Sequence, residues 1–223
     1  MEVIAWNKDF AEPPAVRGWL HQPVRQAKEG IVLTHGASGD CRSALLIALC
    51  DVFTEHGVAA LRCDMPYRQK RPGGPPSPSG AAMDRKGLER AAESLRDVVQ
   101  GPVYLGGSSY GGRQASMLAA ERPDAAKGLL MLSYPLHPPG KPEALRKDHF
   151  GGIKAPVLFA HGSKDAFGSE EEMRAAMKSL KVPTALELFP GATHGLVQKR
   201  DGVAKVRAIA EKIVERFLSL VRG

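Results

Sequence analysis

Short apolar runs alternate with amphipathic segments along most of the chain. The apolar runs have strand length and cover residues 30–34, 58–63, 103–105, 128–136, 156–160 and 185–189. Between them, apolar residues recur every three or four positions, as on one face of a helix, over 43–56, 81–100, 113–121, 170–180 and 203–220. Continuously apolar strands are buried on both faces. The alternation therefore predicts an α/β fold, with a mostly parallel sheet covered by helices on both faces.

The remaining segments predict the edge strands and the longer connections of this fold. Short apolar stretches at Val3–Trp6 and Val16–Leu20 predict two edge strands. Residues 66–80 hold five prolines and three glycines, a composition that predicts an exposed, partly mobile loop. After the strand at 128–136, a short helical pattern covers 143–150. Neither a repeat nor a stretch long enough for an inserted lid domain is visible, so we expect one domain over 1–223.

Composition narrows the class of protein. The chain has 223 residues, 43% hydrophobic and 25% charged, which is typical of a globular domain and too apolar for a disordered one. Its three cysteines, Cys41, Cys50 and Cys63, cannot all pair and show no CxxC spacing. This count argues against a disulfide scaffold and a four-cysteine zinc site, and favours a reducing compartment. No membrane-length apolar run or signal-peptide pattern is present. We therefore expect a cytoplasmic protein.

The net charge of +7 raises the question of nucleic acid as a partner. The basic residues are spread along the chain and form no patch interleaved with aromatic residues, as nucleic-acid binding would favour. No HExxH motif or paired histidine and carboxylate cluster appears. We therefore predict neither a nucleic-acid partner nor a metal, and no cofactor. The oligomeric state stays open.

The clearest chemical signal is Gly107-Ser108-Ser109-Tyr110-Gly111, a GxSxG sequence between a predicted strand and a predicted helix. Such a turn holds its serine in a strained conformation and exposes the hydroxyl at the carboxyl edge of the sheet. The glycines at both ends are needed because a Cβ there would collide with the neighbouring strand or helix. With this much glycine and serine, a chance match to three fixed positions is expected on the order of 0.1–0.2 times per chain, so the motif alone is moderate evidence. The position after a strand is what indicates that Ser109 is a nucleophile.

A serine nucleophile needs a base, and the base needs a third group that orients it. Asp165 follows the strand VLFAHG, and His194 follows the strand LELFP. The chain order Ser109, Asp165, His194 is that of a GxSxG hydrolase, and each residue follows a strand whose end should lie at the same edge. Either residue alone could be a turn aspartate or a surface histidine. The three together predict a catalytic triad.

The same edge supplies donors for an oxyanion hole. We expect the backbone N–H of Tyr110, which follows the nucleophile, and that of Ala37, in the loop THGASGD after the first buried strand. Ser38 or Asp40 in that loop could also simply cap the next helix. His35 and His161 end buried strands and are expected to support the turns through hydrogen bonds.

Weaker candidates for substrate binding lie in two other loops. Arg68, Lys70 and Arg71 follow a predicted strand within the Pro/Gly-rich loop, where they could attract a carboxylate or phosphate or simply be solvated. His137 also follows a strand and could line the pocket.

Several segments together resemble the α/β-hydrolase superfamily: HGASGD, GGSSYGG, HGSKDAFG and GATHG. The size is similar to that of lidless, dienelactone-hydrolase-like members. DMPYRQKR, GGSSYGGRQAS and YPLHPPGKPEALR resemble a group of small bacterial hydrolases related to the hydrolase-like domain of an NSL chromatin-complex subunit. The resemblance covers residues 30–220 and implies an eight-stranded hydrolase core with Ser109, Asp165 and His194 at the triad positions. Dienelactone hydrolases use a cysteine nucleophile, so their substrate is not implied here.

The sequence thus favours a serine hydrolase that cleaves small carboxylic esters or thioesters, with a small molecule as its partner. Two alternatives use the same residues, because a peptidase or an acyltransferase would need the same triad and oxyanion hole. A third is a binding or scaffold module that keeps the fold without activity, as the eukaryotic relatives suggest. Nothing structural requires all three triad residues, which favours the enzyme.

Overall fold

The computed structural model describes residues 1–198 and 200–223 and contains an eight-stranded sheet. The strands are β1 Glu2–Lys8, β2 Val16–Gln22, β3 Glu29–Thr34, β4 Val58–Asp64, β5 Val103–Ser108, β6 Leu129–Leu132, β7 Val157–Gly162 and β8 Thr184–Phe189. Their order across the sheet is β1-β2-β4-β3-β5-β6-β7-β8. β1 pairs antiparallel with β2, and β2 with β4, whereas all other pairs are parallel. The predicted α/β fold with a mostly parallel sheet is confirmed.

In the described residues, five α-helices lie between strands and a sixth follows β8: α1 Ala44–Glu55, α2 Pro66–Lys70, α3 Ala81–Arg96, α4 Tyr110–Glu121, α5 Glu170–Met177 and α6 Val203–Arg222. They cover the sheet on both faces, and two separate apolar clusters fill the space between. One cluster includes Leu88, Leu95 and Leu118 under α3 and α4, and the other includes Phe53 and Phe217 under α1 and α6. No described helix is long and apolar enough to cross a bilayer.

Three sequence predictions need correction. The predicted loop at 66–80 begins with α2, because Pro66 fits the first turn of a helix and Tyr67 packs into the core. The predicted strand 128–136 ends at Leu132, because Ser133 has φ 49° and turns the chain out of the sheet. No α-helix forms over 143–150, where only Phe150 begins a short 3-10 helix, Phe150–Gly152. There the Arg146 N–H donates to the Leu136 carbonyl and not to a carbonyl one turn earlier.

The topology brings one end of each parallel strand to a common edge. β3, β5, β7 and β8 run in the same direction, so the segments that follow them meet at their carboxyl ends. β5 lies in the centre of the sheet and leads directly into α4. Ser109 therefore lies at this edge, and so do Asp165 and His194 in the loops after β7 and β8.

Candidate active site

Ser109 occupies a sharp turn between β5 and α4. Its φ of 48° and ψ of −113° lie in a region that side chains rarely adopt, and its N–H donates to the Leu132 carbonyl of the neighbouring strand (2.8 Å). A Cβ built on Gly107 would lie 2.8 Å from the Gly111 carbonyl carbon, and one built on Gly111 would lie 2.4 Å from the His35 carbonyl oxygen. Both glycines are therefore required, as the sequence predicted.

Hydrogen bonds connect Ser109 with the other two predicted residues. His194 Nε2 lies 2.8 Å from Ser109 Oγ. Its Nδ1 lies 2.8 Å from Asp165 Oδ2 and 3.0 Å from Oδ1. Because a carboxylate only accepts, this network assigns the proton to Nδ1 and leaves Nε2 free to accept the serine hydroxyl. The imidazole is thus oriented as a base toward Ser109.

The loop after β7 holds Asp165 in place. The side chain of Asp165 is fully buried, and its Oδ1 also accepts from the Phe167 N–H (2.8 Å). His161 Nε2 donates to the Gly168 carbonyl (2.7 Å), which closes the same turn and confirms the supporting role expected of this histidine. The Phe167 ring stacks on the His194 imidazole with 4.1 Å between centroids. The His194 side chain remains 27% exposed, so a substrate can approach it.

The Gly36–Ala37 peptide borders Ser109 on the other side. A Cβ built on Gly36 would be 3.4 Å from Ser109 Cβ. The Gly36 carbonyl accepts hydrogen bonds from His35 Nδ1 (2.8 Å) and the Tyr67 hydroxyl (3.1 Å). In a trans peptide the C=O and the following N–H point in opposite directions. The Ala37 N–H is therefore directed away from Tyr67.

Tyr110 begins α4, so its N–H has no carbonyl one turn earlier to bind. Its ring packs edge-on against Tyr67, and its hydroxyl donates to buried Asp84 (2.8 Å). Asp84 also accepts from the Tyr67 N–H (3.2 Å). Burial raises the pKa of Asp84, and its hydrogen bonds to Tyr110 and Tyr67 oppose that rise. Asp84 and Tyr67 thus join the two backbone segments that flank Ser109.

Neither Ser38 nor Asp40 caps the helix that follows this loop. Ser43 is the N-cap of α1, with its hydroxyl accepting from the Leu46 N–H, while Asp40 accepts from the Arg42 N–H within the loop. The alternative that the loop serves only as a cap is therefore wrong.

The structure places the predicted substrate-binding residues Arg68 and Arg71 in hydrogen bonds to backbone carbonyls, and their role toward a substrate stays a prediction. The buried Arg68 donates to the backbone carbonyls of Gly39 (2.8 Å), Ala37 (3.0 Å) and Gly74 (3.2 Å). These hydrogen bonds hold the loop that contains Ala37 and Gly39. Arg71 lies on the surface and donates to the Pro75 carbonyl.

His137 is buried in the segment after β6. Its Nδ1 contacts the Pro138 carbonyl (2.8 Å), and its Nε2 lies 3.4 Å from Glu172. The backbone N–H of His137 donates to the Phe167 carbonyl (3.1 Å). His137 therefore tethers the loop that carries the ring stacked on His194.

Sequence reasoning missed Tyr67, Asp84 and Phe167. Tyr67 and Asp84 lie in or near the Pro/Gly-rich stretch. The average composition of this stretch predicts an exposed loop, although the residues at its start, Met65-Pro66-Tyr67, are buried. That apolar start, with proline at the first helical position, was the available signal. Phe167 is the one large apolar residue between Asp165 and α5, which could have marked it as packing near the site.

Within the described residues, no group of three or more histidine, cysteine or acidic side chains is arranged to hold a metal ion. The three cysteines are free and buried. Burial raises the pKa of Cys41 to about 12.

Comparison with known proteins identifies the class. The chain belongs to the family of alpha/beta hydrolase domains, which it matches over residues 27–221. With no lid domain between its strands, it is a lidless α/β hydrolase, as its sequence resemblance implied. The relation to the NSL subunit stays a prediction.

Three solved structures share this architecture over nearly their whole length. Est1E from Butyrivibrio proteoclasticus has a TM-score of 0.76 at 20% identity, covering 98% of this chain and 99% of that one. The dienelactone hydrolase from Anabaena variabilis has a TM-score of 0.73 at 20% identity, with 97% and 98% covered. XC6422 from Xanthomonas campestris, an a/b serine hydrolase without lid, has a TM-score of 0.72 at 17% identity, with 96% and 94% covered. At these identities the likeness concerns the fold alone.

Proposed function

We propose that the protein is a serine hydrolase that cleaves small carboxylic esters or thioesters through an acyl-enzyme on Ser109. The observation that carries this proposal is the hydrogen-bonded series Ser109–His194–Asp165, with heavy-atom separations of 2.8 Å at both links. A hydroxyl, an imidazole and a buried carboxylate in this order form a nucleophile, its base and the group that orients the base.

The reaction follows from these positions. His194 Nε2 takes the Ser109 proton as Oγ attacks the substrate carbonyl carbon, and the carbonyl oxygen becomes an oxyanion. When the C–O or C–S bond breaks, the imidazolium returns that proton to the leaving alcohol or thiol. Water, activated by the same imidazole, then attacks the acyl-enzyme and releases the acid. Asp165 stabilises the imidazolium through Nδ1 in both halves of the reaction.

The backbone N–H groups of Tyr110 and Ala37 are the proposed oxyanion donors. Both flank Ser109, and their orientation is fixed before substrate binds, because Tyr67 and His35 hold the Gly36 carbonyl. Fixed donors need no reorganisation as charge develops, and in a comparable enzyme one such donor contributes roughly 3–4 kcal/mol to transition-state stability.

Esters of small acids are the proposed substrates because the fold lacks a lid that could cover a long acyl chain. A solved structure shows ferulic acid, a carboxylic acid, bound to Est1E, a protein of the same fold. Peptidase and acyltransferase action remain alternatives at the same three residues. The free cysteines fit the proposed cytoplasmic location, where thiols stay reduced.

The chain-length dependence of hydrolysis tests this function. With p-nitrophenyl acetate, butyrate and palmitate presented in the same detergent, we expect kcat/KM to be at least about tenfold higher for acetate or butyrate than for palmitate. A long chain would leave most of its methylenes in water and gain little binding energy from them. Preference for palmitate would contradict the proposed substrate class. Absence of hydrolysis of all three would favour the scaffold alternative.

Tyr67→Phe tests the proposed oxyanion hole. Loss of the hydroxyl removes one of the bonds that orient the Gly36–Ala37 peptide, so we expect kcat for p-nitrophenyl butyrate to fall about tenfold with little change in KM. Tyr104→Phe, in the core beside Phe217, is the matched control and should retain kcat. An unchanged kcat in Tyr67→Phe would show that the hydroxyl does not position the loop.

A further inference from the structure

Helix α4 carries a polar face that begins at the reacting serine. Ser109, Arg113 and Ser116 are spaced by four and three residues, so they lie along one side of the helix. The Arg113 N–H donates to the Ser109 carbonyl (3.0 Å) in the first helical turn. Ser116 Oγ donates to the Arg113 carbonyl (2.8 Å) and lies 2.8 Å from His149 Nε2. Arg113 therefore lies between the nucleophile and His149.

The segment 134–150 lies against this face. It starts beside Ser109, because β6 ends at Leu132 and the Leu132 carbonyl accepts from the Ser109 N–H. Arg146 is held close to that start: its N–H donates to the Leu136 carbonyl (2.7 Å), and its carbonyl accepts from the Tyr134 hydroxyl (2.6 Å). The segment then returns to α4 at the His149–Ser116 contact. Arg113 thus follows Ser109 by one helical turn, and the backbone of Arg146 is bonded to the start of a segment that begins beside Ser109.

These arginines lack the partners that neighbouring arginines have. Arg85 and Arg122 form ion pairs with Glu121 and Glu89. Within residues 1–198 and 200–223, Arg113 and Arg146 have no carboxylate at ion-pair distance, and the Nε of Arg113 is enclosed without a hydrogen-bond partner. Arg146 Nη1 makes a long hydrogen bond (3.4 Å) to the Pro135 carbonyl. Neither guanidinium therefore meets an anion among the described residues, and a partly buried cation without one is costly.

The protonation behaviour of the surrounding groups indicates that the two cations are close. Burial and the Arg113 guanidinium lower the pKa of Arg146. The same two causes lower the pKa of His149 to about 4, so this histidine is neutral at pH 7 and adds no third charge.

We infer that Arg113 and Arg146 bind an anionic group of the substrate, a carboxylate or a phosphate, one helical turn from Ser109. This inference rests on the proposed function and names its substrate class: esters of small acids that carry a second, negatively charged group. Guanidinium groups match the planar geometry of carboxylates and bind phosphates equally well. Four helical residues place the Arg113 backbone about 6 Å along the helix axis from that of Ser109.

A matched pair of esters tests the inference. Mono-p-nitrophenyl glutarate carries a carboxylate four bonds from its ester carbonyl carbon, and p-nitrophenyl pentanoate is its neutral counterpart. We expect wild-type kcat/KM to be about tenfold higher for the glutarate ester. Arg113→Met and Arg146→Met, which keep much of the apolar stem, should each lower this ratio about tenfold, and Arg113→Lys should retain part of it.

Arg25→Met is the charge-matched control, because Arg25 is exposed in the loop before β3, at the opposite edge of the sheet. The ratio should stay at its wild-type value in this variant. A wild-type ratio of one or less, or a ratio unchanged in both Arg113→Met and Arg146→Met, would overturn the inference while the serine hydrolase proposal stands.

Binding distinguishes failure of the site from failure of the reaction. Glutarate and inorganic phosphate should each be tested for stabilisation of the wild-type protein against thermal unfolding, and for its loss in Arg113→Met and Arg146→Met. Stabilisation by glutarate alone identifies a carboxylate site, and stabilisation by phosphate alone a phosphate site. If neither anion stabilises the wild type more than it stabilises both variants, the inference is wrong. If binding is seen but neither ester is hydrolysed, the proposed function is wrong and the anion site remains.

Discussion

Replacement of Ser109 by alanine should lower kcat for p-nitrophenyl butyrate by about 10⁴–10⁶-fold and leave the fold intact. The large effect is expected because no acyl-enzyme can form without Oγ. His194 could then act only by activating water directly. The strained backbone at position 109 is set by the tight packing around Gly107 and Gly111, and alanine keeps the same Cβ. The thermal unfolding midpoint should therefore stay close to that of the wild type.

Ser108→Ala provides the matched control for this experiment. Ser108 precedes the nucleophile in the same GGSSYGG segment, but the hydrogen bond to His194 is made by Ser109. We expect Ser108→Ala to keep kcat within about threefold of wild type. If Ser109→Ala retained wild-type kcat, or if Ser108→Ala lost as much activity as Ser109→Ala, the assigned nucleophile would be wrong.

Asp165→Asn should lower kcat by about 10³–10⁴-fold with a much smaller change in KM. An asparagine amide can donate to Nδ1, which would favour the imidazole tautomer with its proton on Nε2. That tautomer cannot accept the Ser109 proton, although the shape of the site is preserved. Steady-state kinetics of Asp165→Asn and of Asp124→Asn, an exposed aspartate in the loop before β6, measure this effect. An Asp165→Asn variant with full activity would show that the carboxylate does not orient His194.

Much of the fold could be predicted because each core strand is a continuous apolar run flanked by helical periodicity. β3, β4 and β7 are buried almost throughout, and such strands leave little choice but a parallel sheet covered on both faces. The segments that departed from prediction are those in which tertiary contacts outweigh local pattern. After Ser133, the path of the chain is set by hydrogen bonds that Arg146 makes with Leu136 and with Tyr134, both well before it in the sequence.

The candidate site likewise has one part that could be predicted from the sequence and one part that could not. The proximity of Ser109, Asp165 and His194 could be predicted because each follows a strand, and the topology of a parallel sheet brings strand ends together. The partners of Arg68 could not be predicted from the sequence, because the N–H donors of a guanidinium can bind either a backbone carbonyl or an anion. Likewise, Tyr67 acquires its place beside the Gly36–Ala37 peptide only when α2 packs against the loop after β3.

The central claim is that Ser109 is an activated nucleophile, and covalent labelling tests it most directly. The wild-type protein, treated with a fluorophosphonate probe, should gain the mass of one phosphonyl group with loss of fluoride, and peptide mapping should place the adduct on Ser109. Ser109→Ala should gain no mass, and Asp165→Asn should label far more slowly. A folded wild-type protein that stays unmodified, or an adduct that persists in Ser109→Ala, would contradict the claim.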